Sequence, residues 1–311
     1  MAEPVFIENC KRNPANVLTV GTFDGVHLGH QALLKNVIDR ARAVSAPAVV
    51  VTFDPHPRDV ITPAREGIRL LTNLQERAAI MNQYGIDQMI VIPFNRDFSM
   101  LSSEQFIRDY IHKRIGVHTF VIGYDHHFGR DREGSIQTLK GLSEELGFSV
   151  YVEEAHEVRH TTVSSSVIRK LLEEEGNVEM AAEMLGRPYE MAGTVVKGDQ
   201  RGRTIGFPTA NIEPENKNKV IPAKGVYCVE AELDRQVYNG MMNIGIRPTF
   251  GGQERIVPEV FLFDFSGTIY GSNLRIRFLR RIRGEKKFSD GEALVQQLIK
   301  DRDTCRKLAG G

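Results

Sequence analysis

Two histidines three residues apart lie in a glycine-rich stretch near the start of the chain, GTFDGVHLGH. His27 and His30 follow an apolar run and precede a segment with helical spacing, so they fall on a turn that enters a helix. Glycines let the backbone approach an anion, and the first turn of a helix offers N–H groups with a partial positive charge. The pair could therefore donate hydrogen bonds to phosphate oxygens during group transfer. Two solvated histidines on a flexible loop are the alternative interpretation.

A second candidate site lies in the stretch GTVVKGDQRGRTIGFPTANIE, residues 193–213. Its flexible basic part contains three glycines and two arginines: Gly198, Gly202, Gly206, Arg201 and Arg203. Thr209 and Asn211 are two residues apart, so in an extended segment both side chains lie on one face and their oxygens could share a Mg²⁺ ion. The chain has no GxxxxGK[ST] motif, so a kinase site here would not be of the P-loop type. A long surface loop is the alternative.

Glu259 is a candidate proton acceptor. In a regular strand it shares a face with three aromatic residues: Phe261, Phe263 and Phe265. A carboxylate beside apolar rings loses hydration and accepts a proton more readily. A solvated Glu259 at a strand edge is the alternative.

Three serines, Ser164, Ser165 and Ser166, precede a segment with helical spacing. They can cap the helix while its first N–H groups and Arg169 face an anion. The alternative is that the serines only cap the helix.

The type of secondary structure predicted around these residues changes along the chain. Up to about residue 185, apolar runs rich in β-branched residues alternate with helical patterns, at residues 17–20, 48–53, 89–94, 119–124 and 148–152. This alternation predicts a doubly wound parallel α/β domain with a Rossmann-like sheet. Glycines stand where its helices should end: Gly85, Gly116, Gly147, Gly176 and Gly186.

Beyond residue 186 strand-like runs follow one another without intervening helices, at residues 189–196, 225–233, 237–246, 259–265 and 274–282. They predict a small antiparallel β-barrel, closed by a C-terminal helix around residues 293–301. We therefore predict two domains, residues 1–186 and 187–311.

Composition limits the classes of partner and compartment. Forty basic and forty acidic residues cancel, so we expect no nucleic-acid partner. The chain start lacks a signal-peptide core and no run of eighteen apolar residues occurs, so we expect no membrane association. Three widely spaced cysteines, Cys10, Cys228 and Cys305, favour a reducing, cytoplasmic compartment.

A transition-metal site is not expected. His126 and His127, flanked by Asp125 and Asp131, are the obvious candidates. Adjacent histidines on an extended segment point to opposite sides, so one site would not use both.

The first domain resembles the prokaryotic FAD synthetases of the nucleotidyltransferase superfamily. The resemblance is carried by GTFDGVHLGH, VTFDPHP, GYDHHFGRDREGS and VSSSVIRKLL, in that order. It implies that His27 and His30 hold the ATP phosphates through the transition state, and that Ser165 and Arg169 hold the pyrophosphate. It also implies ATP contacts at Gly21, Phe23 and Asp24, and flavin contacts at Phe53, Pro55 and Asp125. Two residues depart from the family pattern. Val167 stands where the family usually has arginine, and His126 stands where an aromatic residue is common.

The second domain resembles the riboflavin kinase family over residues 186–305. GFPTANI, KGVY, NIGIRPTF and EVFLFDF carry this resemblance. It implies that Thr209 and Asn211 bind Mg²⁺-ATP, with the glycine loop covering the phosphates and Arg203 near the flavin. It further implies that Glu259 is the general base on the riboflavin 5′-hydroxyl. Phe261 stands where many relatives have histidine.

Together the resemblances imply a bifunctional enzyme of flavin biosynthesis. The barrel would convert riboflavin and Mg²⁺-ATP to FMN and ADP. The α/β domain would join FMN to AMP from a second ATP, giving FAD as pyrophosphate leaves by direct in-line attack. Two rivals remain at this stage: a flavin-binding regulator, and an adenylyltransferase for another phosphorylated acceptor such as phosphopantetheine.

Overall fold

We describe the fold from a computed structural model of the 311-residue chain. The described residues are 3–62, 67–124, 128–130, 133–154, 157–198, 202, 205–248 and 254–309. The chain divides into two compact units, Met1–Ser165 and Ser166–Gly311.

The first unit is built on a six-stranded parallel sheet. Its strands are β1 (Val5–Phe6), β2 (Val17–Val20), β3 (Ala48–Asp54), β4 (Gln88–Pro93), β5 (Thr119–Gly123) and β6 (Ser149–Glu153). They lie in the order β1-β4-β3-β2-β5-β6. Strand β2 pairs with β3 on one side and β5 on the other, with Val17 opposite Ala48 and Thr119. The order reverses at β2, and such a switch point opens a crevice at the carboxyl ends of the strands.

Five of these strands were predicted from their apolar runs. Strands β2 to β5 are largely buried, as such runs indicate, whereas β6 is an edge strand whose residues are exposed or half-buried. The two-residue edge strand β1 was missed, since so short a segment carries no periodic pattern. A two-stranded hairpin, β7 (Glu157–Val158) and β8 (Thr161–Thr162), follows the sheet.

Helices cover both faces of the sheet. They are α1 (Leu28–Ala43), α2 (Pro57–Ile61), α3 (Leu74–Tyr84), α4 (Arg96–Ser99), α5 (Ser103–Gln105), which continues as a π-helix (Phe106–Ile115), and α6 (Ile136–Leu146). Leu18 packs in one apolar cluster with Ile111, whereas Val17 packs in another with Leu34 and Met81. Because successive strand residues point to opposite faces, these clusters are the two sides of a doubly wound sheet. None of the helices in the described ranges is both long and apolar enough to cross a membrane.

The five glycines predicted to end helices do so. Each is the C-terminal cap of its helix and has a positive φ: Gly85, Gly116, Gly147, Gly176 and Gly186. Glycine suits this position because it lacks the Cβ that penalises the left-handed region.

The second unit contains a closed antiparallel barrel. Its strands are β9 (Tyr189–Val196), β10 (Ala210–Pro214), β11 (Gly225–Leu233), β12 (Gln236–Pro248), β13 (Glu254–Leu262) and β14 (Asn273–Arg283), in the order β10-β13-β12-β11-β14-β9. Before the barrel come α7 (Ser165–Lys170), a π-helical turn (Leu171–Glu175) and α8 (Val178–Leu185). The strand predicted at 259–265 ends three residues earlier, because Asp264 has a φ of 55° that takes the chain out of the extended region.

A long C-terminal helix, α9 (Gly291–Ala309), closes the barrel as predicted. It is anchored by an ion pair in which Arg283 Nη2 lies 2.8 Å from Asp301 Oδ2, and Asp301 is only 2% exposed. The thiol of Cys228 on β11 lies 3.7 Å from the Cys305 carbonyl oxygen.

Candidate functional sites

The turn between β2 and α1 has an unusual backbone. We call it the histidine loop (residues 21–26), because His27 and His30 follow it directly. Phe23 and Val26 have φ values of 50° and 41°, and Gly25 has 84°. Side chains other than glycine rarely adopt this region, yet Phe23 and Val26 are 1% and 0% exposed. Such conformations persist only where the surrounding structure imposes them, and they concentrate at functional sites.

The two histidines of the first candidate site are brought together. Their rings stack at 3.6 Å between centroids with an interplanar angle of 16°, and the Phe23 ring lies 5.0 Å from His30. His27 caps α1, with its Nδ1 accepting a hydrogen bond from the His30 N–H at 3.3 Å. A neutral His27 that accepts at Nδ1 carries its proton on Nε2, where it can donate to an anion. Because His27 is only 6% exposed, the interpretation of two solvated histidines is wrong.

Asp24 faces away from solvent. Its carboxylate accepts hydrogen bonds from the Leu71 N–H at 3.1 Å and the Thr72 N–H at 2.9 Å, and it is 1% exposed. Gly21 lies close to the Phe23 ring, so an added Cβ would stand 3.1 Å from a ring carbon. These contacts fix the shape of the loop around the histidines.

Ser165 begins α7 and also contacts this loop. Its hydroxyl donates to the Asp24 main-chain oxygen at 2.8 Å. Arg169 lies half-buried in the last turn of the same helix, within the Ser166–Gly311 unit. Their part in holding pyrophosphate stays a prediction.

Arg77 on α3 was missed by sequence analysis. Its Nη1 donates to the Thr22 carbonyl oxygen at 2.6 Å and to Thr52 Oγ1 at 3.1 Å. It is 2% exposed, which is rare for arginine. A usable signal was present: Asn73 and Glu76 form a capping box, which places Arg77 in the first turns of a helix.

An apolar cavity of about 770 Å³ lies near the carboxyl ends of β3 and β4. Aromatic rings dominate its wall: Phe53, Phe94, Phe98, Phe106 and Phe128. The Phe53 and Phe94 rings meet edge to face at 5.6 Å. A cavity of this size and lining can hold a planar aromatic ligand. Three exposed arginines line it: Arg58, Arg96 and Arg130.

The structure describes only some of the other predicted residues. Pro55 is exposed on the turn after β3. Asp125, His126, His127, Asp131, Arg201 and Arg203 lie outside the described residues. In the described ranges, no three His, Cys, Asp or Glu side chains are grouped so as to hold a metal ion.

The second candidate site lies where β10 pairs with β13. Asn211 stands opposite Glu259 in the strand register. Thr209 Oγ1 donates to Glu259 Oε2 at 3.2 Å. In the amide orientation that satisfies its neighbours, Asn211 Nδ2 donates to Glu259 Oε1 at 3.2 Å, and Oδ1 accepts from the Gly198 N–H at 3.1 Å. Thr209 and Asn211 therefore face one way, as predicted, and both meet the carboxylate.

The glycines of the second site permit close backbone contacts. A Cβ at Gly198 would stand 1.5 Å from the end of the Asn211 side-chain amide, and one at Gly202 would stand 2.1 Å from the Phe207 carbonyl oxygen. Gly206 has a φ of 78°. Beside Thr209 lies a second cavity of about 370 Å³, lined in part by Val260 and Leu262.

The aromatic surroundings predicted for Glu259 are present in part. Glu259 is half-buried, and Phe261 contacts Phe207 at 5.3 Å and Phe263 at 5.7 Å between ring centroids. Phe265 lies beyond the end of β13 and packs against Tyr238 instead. The shared face therefore holds for Phe261 but fails for Phe265, because the strand does not continue that far.

Both units match models of known protein families. The FAD synthetase family model matches residues 9–167. The riboflavin kinase family model matches residues 185–309.

Curated relatives match nearly the whole chain. The bifunctional riboflavin kinase/FMN adenylyltransferase of Bacillus subtilis is 39% identical over 289 residues, covering 92% of this chain and 90% of the relative. The protein of the same description from Escherichia coli K12 is 35% identical over 307 residues, covering 98% and 96%. A solved structure from Streptococcus pneumoniae, described as a macrolide-efflux protein, is 34% identical with a TM-score of 0.88 and covers 96% of each chain.

Proposed function

Because the chain belongs to the family of bifunctional riboflavin kinase/FMN adenylyltransferases, we propose that residues 1–186 adenylylate FMN and residues 187–311 phosphorylate riboflavin. The enzyme makes FMN from riboflavin and ATP, and FAD from FMN and ATP. One observation carries the assignment of sites: each unit holds its own polar cluster suited to phosphate chemistry. These are the stacked histidines and the Thr209–Asn211–Glu259 cluster.

In the first unit, the FMN phosphate attacks the α-phosphorus of ATP and pyrophosphate leaves. His27 and His30 donate to the ATP phosphates and stabilise the charge that builds up in the transition state. Gly21, Phe23 and Asp24 supply the loop that holds the imidazoles. This role is supported by the position of His27, which is buried and caps α1. Its imidazole is therefore oriented before ATP binds and needs little reorganisation during the reaction.

The other substrate groups are assigned to the remaining residues that the sequence predicted. The apolar cavity takes the flavin ring system against Phe53. Pro55 and Asp125 are assigned to the flavin and nucleotide contacts. Ser165 and Arg169 hold the departing pyrophosphate, since a hydroxyl and a guanidinium both donate to phosphate oxygens.

In the second unit, Glu259 accepts the proton of the riboflavin 5′-hydroxyl as that oxygen attacks the γ-phosphorus of ATP and ADP leaves. The carboxylate is oriented for this by Thr209 and Asn211, which contact one oxygen each. The glycine-rich segment that contains Gly198, Gly202 and Gly206 is assigned to cover the phosphates, and Arg203 is assigned to flavin binding.

Magnesium fits the donor set of this cluster. A hydroxyl, an amide and a carboxylate within hydrogen-bond distance of one another are hard oxygen ligands of the kind that Mg²⁺ takes together with nucleotide phosphates. Thr209 and Asn211 would hold the ion. When bound, Mg²⁺ neutralises phosphate charge and orients the γ-phosphate.

The compartment we propose is the cytoplasm. The support is the state of the three cysteines, Cys10, Cys228 and Cys305, all of which are buried free thiols. Free thiols are typical of reducing compartments.

A time course tests the two-step function. Incubated with riboflavin, ATP and Mg²⁺, the purified chain should accumulate FMN first and FAD afterwards, as followed by chromatographic separation of the three flavins. FMN without FAD would disprove the adenylyltransferase assignment. Flavin binding without any product would favour a regulator.

Removing the metal should stop both reactions. Because ATP phosphates carry several negative charges that the described side chains do not neutralise alone, excess EDTA should lower FMN and FAD formation by roughly 10²-fold or more. Added Mg²⁺ should restore both rates. Undiminished turnover in EDTA, measured with riboflavin and separately with supplied FMN, would refute metal dependence.

A further inference from the structure

A short stretch that we call the clamp segment (residues 71–77) is hydrogen-bonded to the histidine loop. The Leu71 and Thr72 N–H groups donate to the Asp24 carboxylate at 3.1 and 2.9 Å. Thr72 Oγ1 accepts a hydrogen bond from the Gly25 N–H at 2.8 Å. Consecutive loop residues are thus held through both side-chain and main-chain atoms.

Arg77, the last residue of the clamp segment, is hydrogen-bonded to the start of the loop. Its Nη1 reaches the Thr22 carbonyl oxygen at 2.6 Å, and the same oxygen accepts from the Thr52 hydroxyl at 3.3 Å. Arg77 Nη1 also lies 3.1 Å from Thr52 Oγ1. The three groups form a triangle in which a charged donor strengthens each contact.

Burying the charged guanidinium of Arg77 costs desolvation free energy, so other interactions or a function must account for it. Burial lowers the pKa of Arg77, and the charges of Asp24, Asp54 and Glu76 oppose that shift. An apolar side chain would fill such a position at lower cost. Stability alone therefore accounts poorly for a charged residue here.

The contact lies one residue before the strained turn. Thr22 precedes Phe23, whose φ is 50° and whose ring lies 5.0 Å from the His30 ring. His30 in turn stacks on His27. A shift of the Thr22 carbonyl would therefore move both imidazoles.

We propose that Arg77 is a positioning residue for adenylyl transfer, which fixes the Thr22 carbonyl and through it the orientation of the His27–His30 pair. This inference rests on the proposed role of those histidines. Arg77 acts through the loop and does not itself contact the reacting atoms.

The test is the variant Arg77→Met, which keeps an unbranched side-chain stem but removes the guanidinium donors. We expect kcat for FAD formation to fall by about 10²-fold, because small misplacements of positioned groups have effects of this size. The KM for ATP should change little, since the histidines act mainly in the transition state. Arg77→Lys keeps one charged donor and should recover part of the loss.

Met81→Ala is the matched control for stability. Met81 lies on the same helix, is 1% exposed and has no donor group, so its loss weakens the core without removing a contact to the loop. Compared at equal folded fraction, Met81→Ala should keep the wild-type kcat for FAD formation. Riboflavin kinase turnover gives the concentration of chain with an intact second unit, and thermal unfolding gives the folded fraction of the first unit.

The outcomes for these variants decide whether the proposal stands. A folded Arg77→Met with normal kcat, or a Met81→Ala with the same loss as Arg77→Met, overturns the proposal. If Arg77→Met does not fold, Thr52→Val decides, because it removes the second corner of the triangle: a fall of about tenfold supports the proposal and an unchanged kcat overturns it. His30→Ala separates the two levels, since normal FAD formation in that variant would refute the histidine role itself.

Discussion

Replacing His30 with alanine should nearly abolish FAD formation and leave FMN formation unchanged. The change removes the proposed phosphate donor and the ring on which His27 stacks at 3.6 Å. Loss of a single preorganised donor to developing charge typically lowers kcat by about 10²–10³-fold, and loss of the stack adds to this by freeing His27. The assay supplies FMN and ATP, and follows FAD by chromatography.

The same chain provides the control. Riboflavin phosphorylation is assigned to the Glu259 cluster of the second unit, so its rate should not respond to the histidine loop and gives the concentration of chain in the assay. His118→Ala serves as the matched histidine variant, because His118 is exposed in the same unit and its Nδ1 contacts the hydroxyl of the neighbouring Thr119. Equal loss of both activities in His30→Ala would refute the two-site assignment.

Glu259→Gln should have the opposite effect. Glutamine preserves the size of the side chain and an oxygen that can accept from Asn211 Nδ2, so the geometry is largely kept while the proton acceptor is lost. General base catalysis typically contributes about 10²–10⁴-fold, and FMN formation should fall by that factor. FAD formation from supplied FMN should remain at the wild-type rate.

A matched substitution isolates the chemical role. Glu215→Gln changes an exposed carboxylate of the same unit that follows β10, and it should leave kinase turnover unchanged. Near-normal FMN formation by Glu259→Gln would remove Glu259 from the role of base. An unchanged KM for ATP together with the lowered kcat would support the role in the chemical step.

Much of the fold was accessible from local pattern. Strands such as β3 and β11 are marked by apolar runs with β-branched residues, and helix ends are marked by glycines such as Gly85 that tolerate a positive φ. These signals lie within a few residues of the element that they define. Prediction failed where no such signal exists, as for the edge strand β1, or where a backbone turn intervened, as at Asp264.

The candidate sites were likewise predictable in part from local spacing and in part only from the tertiary structure. The sequence by itself determined that His27 and His30 share one side of a helix entrance and that Thr209 and Asn211 share one face, because both follow from spacing. Only the tertiary structure decided that Glu259, 50 residues from Thr209, meets its hydroxyl, and that Arg77, 55 residues from Thr22, holds its carbonyl. The physical reason is that such contacts depend on strand register and on how helices pack against the sheet, which many distant residues set together.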